Sequence, residues 1–253
     1  MTAPVKPLLK WPGGKRSLAR EILPLIPEHQ CYVEAFCGAA AIFLHKPRST
    51  VEVLNDVSGD ITGLFRVLQH HPRPFLAELR WVVNSRQNFN DYKRQRGLTD
   101  IQRGARFCYL NMLSFGGDSG SYGVQRSSGG GATTNLEHIL QRTDALHARL
   151  QGVSIENLSW EYCLQLYDAP ATFFFLDPPY LGTVQGSYES WKRPQFEALA
   201  KALRKLRGRF VLTLNDHPVI RRIFRHWPLK EVSRPRGIKA GVQFRELIFT
   251  STE

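Results

Sequence analysis

The stretch Thr-Phe-Phe-Phe-Leu-Asp-Pro-Pro-Tyr, residues 172–180, constrains this chain more than any other. Its apolar run, Phe173 to Leu176, has no polar side and reads as a strand buried on both faces. The run stops on Asp177, Pro178 and Pro179. Proline has no N–H to give to a sheet ladder, so central pairing must end there. A carboxylate and the ring of Tyr180 are left at the strand's carboxyl end, where open α/β sheets place their ligands.

Helix and strand signals alternate around this stretch. Leu18, Ile22 and Leu25 share one helical face within 15–26. The segment CYVEAFCGAAAIFLH reads as strand, glycine turn and helix, and TVEVLND as a second strand. Ile61, Leu64, Phe65 and Leu68 then recur at helical spacing. VSIEN, GRFVLTLND and FRELIFTS read as further strands, with a helix from near Pro194 carrying Phe196, Leu199, Leu203 and Leu206. Such alternation predicts an α/β fold with parallel strands and crossover helices. Residues 72–149 differ: helical patterns over 75–83, 102–112 and 136–150 flank a Gly- and Ser-rich loop at 114–135. The expected organisation is a core split between 1–71 and 150–253, with 72–149 a mainly helical, net basic insert.

Charge narrows the function. Lys and Arg number 34 against 22 Asp and Glu, a net +12. Such a balance favours polyanions, nucleic acid before an anionic membrane. No stretch approaches the ~20 apolar residues of a membrane span, and the N-terminus has no signal-peptide core. Cys31, Cys37, Cys108 and Cys163 are scattered without CxxC spacing, as expected of reduced thiols in the cytoplasm. The histidines lack HxxxH or HExxH spacing, so no metal site is expected. The Walker A pattern is absent, which argues against ATP hydrolysis.

Three segments carry chemistry. In VEAFCGAAA, Gly38 and the small residues after it let a ligand approach the backbone behind Glu34. Asp56, at the end of the second strand, suits ribose hydroxyls. One glycine without the pyrophosphate spacing fits a nucleoside ligand better than a dinucleotide. Lys15, at a helix start where its charge opposes the dipole, suits an anion such as a carboxylate or a DNA phosphate. Asp177 and the Pro178 carbonyl are two acceptors that would grip both N–H groups of an exocyclic amine and aim its nitrogen at an electrophile. Tyr180 offers a face on which the base stacks. Tyr122 and Arg126 suit a DNA-contacting loop, and residues 183–193, with Tyr188 and Lys192, suit a lid. Trp81, Trp160, Trp191 and Trp227 read as packing residues.

The ordered set PGGK (12–15), FCG (36–38), LNMLSFGG (110–117), DPPY (177–180) and LTLNDHPVIRRIF (212–224) resembles the Dam-type, D12-class DNA adenine N6-methyltransferases of the α group. The resemblance covers nearly the whole chain. It implies a Rossmann-like methyltransferase core with an inserted DNA-recognition subdomain, S-adenosylmethionine as methyl donor without a metal, and double-stranded DNA as partner, with the target base flipped out. By position it gives Trp11, Lys15, Glu34, Phe36, Gly38, Asp56 and Asp177 to the donor, and Asp177, Pro178, Pro179 and Tyr180 to the flipped adenine. Lys10, Asn111, Ser114, Tyr122, Arg126 and Lys192 are the expected DNA contacts. FCGAAA lacks the second glycine common in the family, and LNMLSFGG lacks its usual arginine and asparagine, so no recognition sequence carries over. A monomer is the default expectation. Cytosine N4 methylation and a silent nucleic-acid binder on the same fold are the alternatives.

Overall fold

The computed structural model describes residues 5–11, 13–82, 84–114, 117, 119–123, 136–182, 190–235 and 243–251. Seven strands make one sheet: β1 (Cys31–Glu34), β2 (Val51–Asn55), β3 (Ser154–Glu156), β4 (Thr172–Leu176), β5 (Arg209–Asn215), β6 (Leu229–Pro235) and β7 (Gln243–Thr250). Their order is β3-β2-β1-β4-β5-β7-β6. The first five pair in parallel, whereas β7 is antiparallel to both β5 and β6. Chain order reverses between β1 and β4, so a crevice opens at the carboxyl ends of those two strands. This is a mixed α/β fold with a seven-strand, mostly parallel sheet, consistent with the Rossmann-like core expected from the sequence.

Side-chain alternation builds a core on each face of the sheet. Tyr32, Leu54, Phe173, Phe175, Val211 and Ile248 point to one face. Val33, Val53, Phe174, Leu176, Leu212, Leu214 and Phe249 point to the other. Every residue of β4 is buried, as its uninterrupted apolar sequence requires.

The helices are α1 (Ala19–Ile22), flanked by 3₁₀ turns at Lys15–Leu18 and Leu23–Leu25, then α2 (Gly59–His70), α3 (Pro72–Arg80), α4 (Arg86–Arg94), α5 (Asp100–Leu113), α6 (Leu136–Leu150), α7 (Trp160–Tyr167), α8 (Arg193–Leu203) and α9 (Pro218–Ile223). Helices α7, α8 and α9 cover the second face through Cys163, Leu164, Phe196, Leu199, Leu203 and Ile220. The first face is covered by α1 and α2, with Ile61, Leu64, Phe65 and Leu68 buried as their spacing predicts. Phe107, Cys108 and Met112 of α5, with Ile139, Leu146 and Leu150 of α6, join that same cluster. Helices α3, α5 and α6 thus share a core with α2, while Phe89 of α4 packs in a separate cluster with Tyr109, Leu110 and Leu113. No helix among the described residues is long and apolar enough to cross a membrane.

One expected helix is absent. After β1, residues 35–46 form successive turns. The buried Glu34 carboxylate accepts the Phe43 N–H at 2.6 Å, taking a donor that a regular helix would use in its own ladder. Ala40 sits at φ +54°, a left-handed conformation that costs an L-residue about 1–2 kcal/mol. A few turn and helical bonds remain, among them Leu44 N–H to the Ala40 carbonyl and the His45 and Lys46 N–H groups to the Ile42 carbonyl. Conversely, α4, α7 and β6 have no clear sequence signal. Only Phe89 of α4 is buried. Strand β6 is a largely exposed edge with charged side chains and a terminal proline, as edge strands tend to be.

A buried ionic knot joins the two halves of the chain. Glu52 of β2 accepts Lys46 Nζ at 2.7 Å and both Arg149 terminal nitrogens at 2.5 and 2.8 Å. Arg149, from the last turn of α6, also donates to the Phe43 carbonyl at 3.0 Å and lies 3.6 Å over the Phe43 ring. Burial alone would raise the Glu52 carboxyl, but the Arg149 and Lys46 hydrogen bonds outweigh it and hold the group low. Arg48 closes the end of α6 by donating to the carbonyls of Ala148, Arg149 and Gln151. Glu52→Ala leaves two buried cations without their anion. It should destabilise the fold by roughly 3–5 kcal/mol, measured by urea unfolding. A loss under about 1 kcal/mol would show that the knot is solvated.

Candidate active site

Polar side chains collect where the parallel strands end: Glu34 at the end of β1, Asp56 after β2, Asp177 after β4 and Asn215 at the end of β5. A cavity of about 470 Å³ opens beside them. Its walls include Trp11, Lys15, Glu34, Phe36, Gly38, Asp56, Val57, Trp160, Asp177, Pro179 and Trp191. That volume lies within the roughly 300–1,000 Å³ typical of small-molecule sites.

The segment after β4 is clamped to β5 at both ends. Thr213 Oγ1 donates to Asp177 Oδ1 at 2.7 Å. Asn215 Oδ1 accepts the Leu181 N–H at 3.2 Å, and its Nδ2 donates to the Leu181 carbonyl at 3.1 Å. Thr213 and Asn215 are two apart on a strand and therefore face the same way. Between these clamps Pro178 and Pro179 add fixed φ angles, so Asp177 is held in place from both backbone and side chain. Tyr180 is only 3% exposed. Its hydroxyl donates to Glu246 of β7, and its ring packs in the second-face core.

Lys15 meets anions, as its position predicts, but they belong to the protein. Its Nζ lies 2.8 Å from Asp177 Oδ2, 3.2 Å from Glu246 Oε1 and 2.7 Å from the Gly13 carbonyl. An ammonium has three N–H donors, and all three are matched here. The same Nζ stands 4.9 Å from the centre of the Tyr180 ring. Burial pushes the Asp177 carboxyl up, against the pull of Lys15 and with a further push from Glu246. Glu34 is pushed up to about 8, chiefly by burial, although the Tyr32 hydroxyl (2.8 Å) and the Phe43 N–H both bond its Oε1. Glu246 is the site residue that sequence reasoning misses. It sits mid-strand in RELIF, and only the pairing of β7 on β5 brings it behind Asp177.

Gly38 has a definite partner. It adopts φ +47°, and a Cβ there would stand 2.8 Å from Trp11 Nε1. The close approach at this glycine is therefore made by the Trp11 indole, which forms part of the cavity wall. Asp56 fastens the neighbouring turn, accepting the Gly38 N–H at 2.9 Å and the Ser58 N–H at 2.9 Å. Phe36, Trp160 and Trp191 make an aromatic wall, with ring centroids 5.5–6.4 Å apart. Trp160 and Trp191, expected as packing residues, thus also line the cavity. Trp160 is brought there by Ser159, which caps α7 by accepting the Tyr162 N–H at 3.3 Å.

The expected DNA contacts divide. Asn111 is fully buried. Its oxygen accepts the Lys10 N–H at 2.8 Å, and its nitrogen donates to the carbonyls of Lys10 (2.8 Å) and Gly117 (2.7 Å). Gly117 is obligatory there, since a Cβ would meet the Lys10 carbonyl oxygen at 2.1 Å. Ser114, also buried, donates to the Asn111 carbonyl and accepts the Ser119 N–H, each at 3.0 Å. Asn111 and Ser114 therefore brace the loop from within. Lys10 is exposed and donates to the Met112 carbonyl at 3.2 Å. Half-buried Tyr122 packs edge-on to Phe89, with Arg86 4.7 Å over its ring. Lys192 is exposed just before α8. Arg126 and Tyr188, with most of the expected lid, lie outside the described residues. Among the described residues no three His, Cys, Asp or Glu side chains gather as a metal site.

Comparison with known proteins identifies the family. Residues 11–238 match the family model of the D12 class N6 adenine-specific DNA methyltransferase. The chain is 23% identical over 229 residues to the type II methyltransferase M.CviBI of Paramecium bursaria Chlorella virus NC1A, covering 87% of this chain and 86% of that protein. It is 24% identical to the type II methyltransferase M1.LlaDCHI of Lactococcus lactis subsp. cremoris, covering 98% and 95%. Identity reaches 32% with a DNA adenine methylase of Vibrio cholerae serotype O1, over 43% of this chain and 41% of that protein. The chain therefore belongs to the D12 class of N6 adenine-specific DNA methyltransferases, a family that uses S-adenosylmethionine.

Proposed function

We propose that the chain methylates the N6 amine of an adenine flipped out of double-stranded DNA, with residues 177–180 as the amine site and the adjoining cavity as the donor site. The observation that carries this is the Asp177 carboxylate, fixed by Thr213 and Lys15 at the cavity edge. The cavity suits a nucleoside sulfonium: aromatic walls from Phe36 and Trp160, a carboxylate at Asp56, and an acidic side at Glu34 and Asp177. When bound, S-adenosylmethionine supplies an electrophilic methyl with its own leaving group. Asp177 and the Pro178 carbonyl accept the two amine hydrogens and orient the nitrogen. Asp177 also receives the proton that the amine must lose. Lys15 acts on the reaction through Asp177, since its donors are all held by protein acceptors. Tyr180, buried and tied to Glu246, serves as the rigid floor of the base pocket. Trp11 and Gly38 set the donor end.

Residues 72–149 form the DNA-reading part in this proposal, and 1–71 with 150–253 the catalytic core. Basic side chains such as Lys10 and Lys192 would meet phosphates, while Asn111 and Ser114 shape the loop beside Lys10.

The test is transfer of labelled methyl from S-adenosylmethionine to unmethylated DNA, followed by digestion to nucleosides. N6-methyladenine is expected, and N4-methylcytosine would refute the adenine assignment. Asp177→Asn should lower the rate by roughly 10²–10⁴-fold while the donor still raises the melting temperature. An Asp177→Asn enzyme of normal rate would remove Asp177 from the chemistry.

Glu34 gives a second prediction. Its folded pKa, about 8, lies above its ordinary value of 4.5, so the folded state holds a proton that the unfolded state releases between those pH values. The group's contribution to stability is complete below pH 4.5 and falls as pH rises towards 8. The slope from this one group is at most about 1.4 kcal/mol per pH unit. Glu34→Gln should flatten the decline in urea unfolding of the ligand-free protein. An unchanged pH dependence would mean that Glu34 is ionised in the fold.

A further inference from the structure

Asp177 faces a conflict that its own segment does not resolve. A buried carboxylate in a one-to-one ion pair with an ammonium is a poor proton acceptor, because the cation stabilises its charged form. Asp177 has such a partner in Lys15, at 2.8 Å. Yet Lys15 is shared with a second carboxylate, Glu246, at 3.2 Å. Glu246 is fully buried, on the strand paired with β5, opposite Asn215.

We propose that Glu246 is a positioning residue for methyl transfer: it draws Lys15 away from a one-to-one pair with Asp177 and so keeps Asp177 able to take the proton that the adenine amine sheds. This rests on the assignment of Asp177 as the acceptor of that amine.

The charged and titratable groups around the pair come from four directions. Lys15 approaches from the N-terminal 3₁₀ turn and Glu34 from β1, while Thr213 from β5 gives Asp177 a neutral hydroxyl. Tyr180, within the turn itself, donates its hydroxyl to Glu246. Two carboxylates therefore share one ammonium. The Glu246 charge pushes Asp177 in the direction the reaction needs, against the opposing effect of Lys15.

The proton balance is then complete. As nitrogen bonds to the methyl carbon, the carbon–sulfur bond breaks with its electron pair staying on sulfur, and the nitrogen is left with one proton too many. That proton passes to Asp177, which becomes a neutral acid. The Asp177 side chain is 20% exposed, so it can return the proton to water. Glu246, fully buried, has no such route and acts through Lys15 and Tyr180.

The decisive experiment reads the Asp177 titration directly, by ¹³C NMR of the carboxyl-labelled, ligand-free protein, with the signal assigned by its loss in Asp177→Asn. In Glu246→Gln the midpoint should fall by about one pH unit. The kcat should fall roughly tenfold, its acidic limb moving to lower pH in parallel, while KM for DNA stays within about twofold. Glu246→Asp, which keeps the charge, should restore the midpoint. An unmoved or raised midpoint in Glu246→Gln overturns the proposal and leaves Glu246 a structural residue. If Glu246→Gln does not fold, Tyr180→Phe decides: without the hydroxyl, Glu246 should hold Lys15 more strongly and the Asp177 midpoint should rise. A midpoint there that stays or falls overturns the proposal. Transfer to cytosine N4 would refute the proposed substrate but would leave these midpoints to decide the role of Glu246 on their own.

Discussion

The Lys15 ammonium, held between Asp177 and Glu246, is the interaction on which the site depends. It joins three parts of the chain that are far apart in sequence: the N-terminal turn, the end of β4 and the middle of β7. Removing Lys15 would leave two carboxylates without their cation in a region nearly closed to water, where such charges are expensive, whereas removing either acid leaves a one-to-one pair. The arrangement therefore fixes Asp177 in space. The clamps from Thr213 and Asn215 do the same work for the backbone on either side of Pro178 and Pro179. Little of this turn has to reorganise when a base arrives, and preorganisation of that kind is where electrostatic catalysis draws its strength.

The sheet supplies the frame for this arrangement. Because β1, β2, β4 and β5 carry core residues on both faces, most of the site's polar groups stand at strand ends, with Thr213 and Glu246 reaching in from within β5 and β7. The reversal of order between β1 and β4 opens a gap there, and Glu34 and Asp177 stand on its two sides. Burial pushes the Glu34 carboxyl towards its neutral form, which weakens its repulsion of Asp177 at the same edge. The Glu52 knot performs a mechanical task on the far side. It ties the turns after β1 to the end of α6, so the wall of the cavity and the helices of residues 72–149 are fastened to the same strand.

Much of this is legible in the amino-acid sequence. The strand of 172–176 and its abrupt stop follow from four apolar residues and two prolines. The positions of Asp56 and Glu34 follow from strands that end on acids. Helix α2 follows from the spacing of Ile61, Leu64, Phe65 and Leu68. The helix expected after Gly38 does not form because a side chain, Glu34, takes the Phe43 N–H from the local backbone, which no propensity can register. Strand β6 leaves no signal because an exposed edge needs no apolar pattern. Sequence resemblance puts Asn111 at a DNA surface, yet its amide bonds backbone on both sides and is closed to solvent.

What the sequence determined by itself was chemistry and order: which residues end the strands, which turns are rigid, and which family of reactions suits an Asp-Pro-Pro-Tyr edge. These are local properties, set by side-chain type, missing N–H groups and periodicity. Only the tertiary structure decided the partners. Lys15 is recognisable as a residue in need of an anion, but its anions lie 162 and 231 residues away along the chain. Glu246 gives no sign at all, because a glutamate in an apolar strand reads the same whether it faces water or a buried lysine. The difference lies in the antiparallel register of β7 on β5, a long-range pairing that brings the 246 position behind the site.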